Sequence, residues 1–209
     1  DEPRGGWLGG GFSKFAIRGT YKGSKYAILQ MAPLRDAVCT AEENRNNLMD
    51  EFKLLCIAQY FADTFRRRAT VYDVAIPDIR FNAEGAFVGE VDPDFLPDSP
   101  LEQGAHARAL LYPTFKFLAT PLVDKSHGYT ERKFSGSLQV GLNKDALGRA
   151  IDAFAHHVLD DSSRTCVLVD LQGDGWGLTG FWDGGAREID NFKKAHECNS
   201  YCHQLHLSD

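Results

Sequence analysis

The spacing of apolar and polar positions changes several times along the 209 residues, and each change marks an element. The run Cys166-Val167-Leu168-Val169 is continuous and β-favouring and passes through Asp170 and Leu171 into Gln172-Gly173. It predicts a strand buried on both faces. Thr40 with Glu43 forms a capping box, and from there to about Arg67 the period is helical, with Leu54, Ala58, Phe61 and Phe65 as the core-facing stripe. Leu147, Ile151, Phe154 and Val158 predict a second amphipathic helix over Asp145 to Val158, or one passing into a strand. Phe15 to Met31, broken at Lys22-Gly23-Ser24, reads as a hairpin, and so does Val71 to Phe81 with Ala86 to Val91 across Asn82-Ala83-Glu84-Gly85. Residues 5–11, rich in glycine, read as a flexible lead-in. Residues 92–104 read as a loop, and Leu110 to Leu122 as a strand leaving the first half.

Composition narrows the classes without choosing one. A chain of this length fits one domain, or one with two lobes, and 43% hydrophobic with 25% charged residues is ordinary for a globular protein. A net charge of -6 argues against nucleic acid as a partner, because phosphate binding needs clustered positive charge. The one dense basic run, Arg66-Arg67-Arg68, suits a helix C-terminus. Five cysteines without a disulfide-framework spacing point to a reduced, cytoplasmic setting, with thiols reserved for metal. No apolar run is long enough for membrane insertion. The start at Asp1 rather than methionine suggests a domain of a longer chain.

Two constellations carry chemistry. On a regular strand Asp170 and Gln172 point the same way, which suits two groups sharing one ion or one reacting hydroxyl; the alternative is a strand ending in a polar turn. Near the C-terminus stand His196, Cys198 and Cys202. Cys198 and Cys202, four apart, share a helix face, whereas His196 and Cys198 point about 200° apart on a regular helix. One metal held by all three therefore requires the helix to break near His196. A tetrahedral zinc needs a fourth ligand, and the pair His156-His157 offers one; the alternative is a buried thiol pair with surface histidines.

The order Ala153-Phe154-Ala155-His156, Val169-Asp170-Leu171-Gln172-Gly173, Asn191-Phe192, His196-Glu197-Cys198-Asn199 and Cys202 with Leu205 resembles the C-terminal half of the alpha-kinases, atypical Ser/Thr protein kinases. The resemblance is specific over residues 153–207 and thin before them. It implies an α+β fold of two lobes in a single domain: an N-terminal β-rich lobe with a long helix over about residues 12–121, and a zinc-containing C-terminal lobe over about 122–209. It implies a structural zinc on His156, His196, Cys198 and Cys202, choosing His156 over His157. It also implies ATP and magnesium as cofactors, a protein substrate or partner, Asp170 as the acid that orients the hydroxyl, and Gln172 as a metal-binding amide. Arg18 loosely matches an arginine of the nucleotide-covering hairpin, and Lys133-Phe134-Ser135-Gly136-Ser137 resembles a lysine-aromatic segment after the lobe connection.

Against that pattern the expected lysine, glutamate and second aspartate are replaced by Leu29, Thr120 and Gly180, and a glycine-rich loop is shortened to Asp183-Gly184-Gly185. Lys22 or Lys25 could reach the phosphates, and Asp174 or Asp183 could supply the metal carboxylate. Two readings follow: a protein Ser/Thr kinase with a rearranged metal site, and a pseudokinase that keeps the fold as a zinc-stabilised binding or scaffold module. An unrelated α+β domain with a zinc staple is the third.

Overall fold

The computed structural model describes residues 6–10, 14–32, 39–92, 116–122, 132–174 and 177–208, with backbone alone over 174–184. Two compact units are formed, one from residues 1–54 and 83–123, the other from 55–82 and 124–209. The long helix α1 (Ala41–Val71) contributes to both. Thr40 and Glu43 close its start reciprocally: Glu43 N–H donates to Thr40 Oγ1 (3.1 Å) and Thr40 N–H to Glu43 Oε2 (2.9 Å).

The first unit is an antiparallel sheet of β1 (Trp7–Gly10), β2 (Lys14–Tyr21), β3 (Ser24–Met31), β4 (Phe87–Glu90) and β5 (Lys116–Pro121), in the order β1-β2-β3-β5-β4. Lys22 (φ 50°) and Gly23 (φ 80°) make the two-residue reversal between β2 and β3, where both residues must enter the left-handed region. One face of the sheet packs Met31, Leu118, Leu29 and Val88 against Leu48 and Phe52 of α1. The other face carries Tyr26, Ile28 and Ala119 with Phe87 and Phe117.

Three expectations need correction here. The glycine-rich lead-in is partly a strand, because Trp7–Gly10 pairs with β2 and the Trp7 ring lies 5.6 Å from that of Phe15. Val71 to Phe81 is no hairpin arm: α1 runs through Val71, residues 74–80 lack regular structure, and Phe87–Glu90 pairs with Lys116–Pro121 instead. The buried stripe of α1 in its second half is Leu55, Ala58, Phe61, Ala62, Phe65 and Ala69, so Ala58, Phe61 and Phe65 face the core as expected and Leu55 takes the place of Leu54. The expected loop at 92–104 and the start of the strand from Leu110 fall outside the described residues beyond Asp92 and before Lys116.

The second unit has a sheet of order β6-β7-β8, from β6 (Arg132–Lys133), β7 (Val167–Asp174) and β8 (Gly177–Gly184). Helix α2 (Ala146–Asp161) packs on β7 and on α4 (Ser200–Gln204), while α3 (Ala186–Ala195) packs on β7 and β8. Thus α2 continues beyond Val158 as helix. Phe154, fully buried, meets Phe65 at 5.7 Å and Phe81 at 5.8 Å between ring centroids. Asp145 caps α2 by accepting from Gly148 N–H (3.0 Å), and the Arg132 guanidinium 2.6 Å away holds its carboxyl well below the usual carboxylate range.

The segment between β6 and α2 is pinned by one half-buried amide. Asn143 donates through Nδ2 to Asp152 Oδ1 (2.7 Å) and Phe134 O (3.0 Å), donates through its backbone N–H to Asp152 Oδ2 (2.8 Å), and accepts from Arg132 (2.9 Å). Burial raises the Asp152 carboxyl pKa, and the Asn143 hydrogen bonds oppose the rise. Gly141 leaves room for this network, since a Cβ there would lie 2.0 Å from Asp152 Oδ1 and 2.9 Å from Phe134 O. Gly141→Ala is therefore expected to lose about 1–3 kcal/mol in urea unfolding. Gly9→Ala, where a Cβ would meet nothing within 4 Å, is expected to change little.

Candidate functional site

Strand β7 carries the first constellation, and it is not a regular strand. Val169 pairs with Trp182 and Gln172 with Gly180, so three steps on β7 stand against two on β8. The extra residue makes a β-bulge, with Asp170 in the left-handed region at φ 56°. Aspartate tolerates that conformation better than most residues, at a cost of roughly 1–2 kcal/mol. The strict alternation expected for Asp170 and Gln172 is broken by this bulge, which re-aims the carboxylate.

Residues just after β6 supply what the bulge takes from the ladder. Asp170 N–H donates to Gly136 O (3.1 Å), Leu171 N–H to Ser135 Oγ (3.0 Å), and Leu171 O accepts from Phe134 N–H (2.8 Å) and Ser135 N–H (3.3 Å). Lys133, at the end of β6, brings its ammonium 2.5 Å from Asp170 Oδ1. That contact is an ion pair to an oxygen otherwise closed off from solvent. Both partners keep water contact, with 56% of the Lys133 side chain and 32% of the Asp170 side chain exposed, so the pair adds little stability. A cleft of about 510 Å³ adjoins Lys133, Ser135, Gln139, Leu142, Asn143 and Asn191.

The second constellation closes as its spacing requires. Helix α3 ends at Ala195, His196 leaves it extended (φ -70°, ψ 129°), and Asn199 starts α4 by accepting from Tyr201 N–H. The break turns His196 and Cys198 toward one point. The ligand atoms of His156, His196, Cys198 and Cys202 all lie within 4.8 Å of one another. Cys198 Sγ is 3.6 Å from His156 Nδ1, and Cys202 Sγ is 3.6 Å from His196 Nε2. Metal bonds of about 2.0–2.1 Å to nitrogen and 2.3 Å to sulfur at tetrahedral angles give N···S separations of roughly 3.6 Å. The donor set fits a small tetrahedral ion.

Neighbouring groups orient these ligands. His156 Nε2 donates to Ser208 O (2.8 Å), which leaves Nδ1 as the free base facing Cys198. Burial brings the His196 pKa down to about 4, with His156 adding to the effect, and so keeps its imidazole in the ligand form. Burial pushes the Cys202 thiol up to about 12, and only a cation beside it would stabilise the thiolate. His157 faces away, with Nε2 2.8 Å from Thr64 Oγ1, so of the adjacent histidines only His156 joins the cluster.

The remaining expected positions scatter among the strands. Arg18 on β2 stands opposite Ala27, and Lys25 on β3 opposite Thr20. Leu29 is packed among Met31, Leu48, Leu118 and Phe52, and Thr120 pairs with Ala27. Gly180 and Asp183 stand on β8 opposite Gln172 and Leu168; the side chains of Asp174 and Asp183 lie outside the described residues. Sequence reasoning quoted Ser135 and Gly136 within the segment that follows β6 but gave them no role. Only the serine and glycine after Lys133-Phe134 hinted at a backbone-binding turn.

A bulged aspartate beside a lysine and a His/Cys knot, on an α+β frame, define a kinase-like class of domain. The chain belongs to the alpha-kinase family, atypical Ser/Thr kinase-type domains, whose model matches residues 12–202. Solved structures agree on the fold. The alpha-kinase domain of myosin heavy chain kinase A in complex with AMP is 16% identical, with a TM-score of 0.66, covering 97% of this chain and 88% of that one. The AMP-PNP complex of the myosin-II heavy chain kinase A domain is 15% identical, also at 0.66, over 97% and 86%. A C-terminally truncated alpha-kinase domain of myosin heavy chain kinase is 18% identical at 0.60, over 89% of this chain and 66% of that one. Comparison with curated proteins gives no match.

Ser135→Ala would leave the buried Leu171 N–H without its acceptor and is expected to cost about 1–3 kcal/mol in chemical denaturation. Ser137→Ala in the same segment is the control.

Proposed function

We propose that this domain binds ATP with magnesium and transfers phosphate to Ser/Thr hydroxyls of a protein, at a rate lowered by an incomplete set of charges. The observation that carries the reading is Asp170, held in a strained backbone conformation by Ser135 and Gly136 with its carboxylate paired to Lys133. Such strain persists where the surroundings over-determine it, and it collects at functional sites. Asp170 would accept the hydrogen bond of the attacking hydroxyl, Gln172 would offer its amide to the metal, and Lys133 would offset charge developing on the transferred group. Arg18 and Lys25 are the candidate nucleotide-binding residues, and Asp183 is the candidate metal carboxylate. The nucleotide complexes of the structural relatives support nucleotide binding here by analogy of fold.

A second reading has its own observation. Leu29 stands where a nucleotide-binding lysine is expected and is enclosed by apolar neighbours, which suits a pseudokinase acting as a binding or scaffold module. Each ~1.4 kcal/mol of lost transition-state stabilisation is tenfold in rate, so lost countercharges together lower activity by orders of magnitude. For the His156, His196, Cys198 and Cys202 knot the ion is zinc, in a closed four-ligand site of structural type. A protein is the expected partner, nucleic acid is disfavoured by the net charge of -6, and no described helix is long and apolar enough to cross a membrane. A cytoplasmic location suits a knot built from reduced thiols.

With labelled ATP, magnesium and a basic helical peptide, label is expected in the peptide and is expected to disappear in Asp170→Asn. Asparagine tolerates the left-handed backbone while removing the charge. No transfer at any enzyme concentration, with a melting temperature that ATP raises, would select the pseudokinase reading. Elemental analysis is expected to give one zinc per chain, lost in Cys198→Ser together with several kcal/mol of stability. A stable protein purified without metal would reject the zinc assignment.

A further inference from the structure

The first unit holds a second lysine on the face where Leu29 lies. Met31 stands opposite Lys14 and Leu29 opposite Ala16, so Lys14 and Leu29 are diagonal neighbours on one side of the sheet. Diagonal pairs have Cα atoms about 7–8 Å apart, within the span of a lysine side chain. That side is the one packed on α1, through Leu48 and Phe52. Lys14 Nζ is ion-paired with Glu51 of α1, which shares a helix face with Leu48, three residues earlier.

From this arrangement we infer that Lys14 is the nucleotide-phosphate lysine of this chain, moved one strand from the position occupied by Leu29 and held by Glu51. The inference rests on the nucleotide-binding reading above and names the residue that would replace the missing charge. In protein kinases the phosphate lysine is a strand residue held by a helix glutamate, and that geometry matters because a flexible ammonium must be positioned before it can favour the triphosphate. Lys14 and Glu51 supply both parts, with 31% and 36% of their side chains still exposed, so the ammonium is held yet reachable. Arg18 lies on the same face, four residues along β2, and extends the positive edge. Lys116 is the contrasting case. Its ion pair is with Glu90 of the neighbouring strand β4, and among the described residues no helix side chain is paired with the ammonium.

The test is calorimetric binding of magnesium-ATP and of adenosine to the full chain and to Lys14→Gln and Lys116→Gln. Lys14→Gln is expected to weaken ATP roughly 10- to 100-fold, the range for a hydrogen bond to a charged group, and to leave adenosine unchanged. Glu51→Gln, which retains the side-chain length, is expected to weaken ATP in the same selective sense by a smaller factor. Unaltered ATP affinity in Lys14→Gln, equal losses for ATP and adenosine, or an equal ATP loss in Lys116→Gln would each overturn the assignment while leaving nucleotide binding intact. Failure of the unsubstituted chain to bind either ligand would instead overturn the nucleotide reading, and the assignment with it.

Discussion

The backbone of Asp170 and Leu171 cannot complete its hydrogen bonds on β8, and the second unit is built around that deficit. A strand with one residue too many leaves polar groups without ladder partners, and leaving such groups bare in a core costs more than most side-chain contacts return. The chain meets this with residues 134–136, whose carbonyl, hydroxyl and amides reach the bulge from the opposite side. That strap is in turn fixed at Phe134 O by the half-buried amide of Asn143, which Asp152 of α2 holds. Position, rather than the identity of Asp170 alone, is what the network provides. An aspartate on a regular strand would lack the strained backbone and the hydrogen bonds that hold it.

Local pattern revealed those elements whose stabilising partners lie close in sequence. The Thr40–Glu43 box, the β2–β3 reversal at Lys22-Gly23 and the apolar run of β7 each depend on neighbours a few residues away. The helix break before α4 was also legible, because His196 and Cys198 cannot face one ion from a regular helix. What stayed hidden depends on distant partners. β4 has the same composition whether it pairs with residues 71–81 or with β5, and only the sheet decides. Trp7–Gly10 looks like linker because glycine carries no strand signal, and pairing to β2 overrides that weak preference. The bulge at Asp170 was invisible for the same reason, since its acceptors lie some 35 residues earlier.

The two constellations differ in how they gain stability. In the knot, burial keeps His196 neutral and the Cys202 thiol protonated, so without an ion the four groups are merely an expensive polar cluster. A cation converts the same burial into an advantage, because two thiolates and two imidazoles then neutralise and satisfy one another in a dry site. The ring stacking of Phe192 on His196, 4.7 Å between centroids, and the Ser208 carbonyl on His156 hold the donors before an ion arrives. Preorganisation of this kind also joins α2 to the chain's last helix, so the knot braces the side of the unit against which β7 is packed.

Charge on the first sheet follows a different logic. Leu29 at the centre of the α1-facing side joins an apolar cluster, and a lysine there would have to escape Met31, Leu48 and Phe52 to reach a ligand. Removing that charge strengthens the helix-sheet contact but leaves a triphosphate without its nearest cation. A lysine at the start of β2, on the same face but at the rim of the cluster, resolves the conflict: its stem covers apolar neighbours while the ammonium stays at the edge with Glu51. On the inference drawn for Lys14, the leucine at position 29 and the ion pair at Lys14 would be two sides of one rearrangement, with the apolar residue in the core and the charge at the exposed rim.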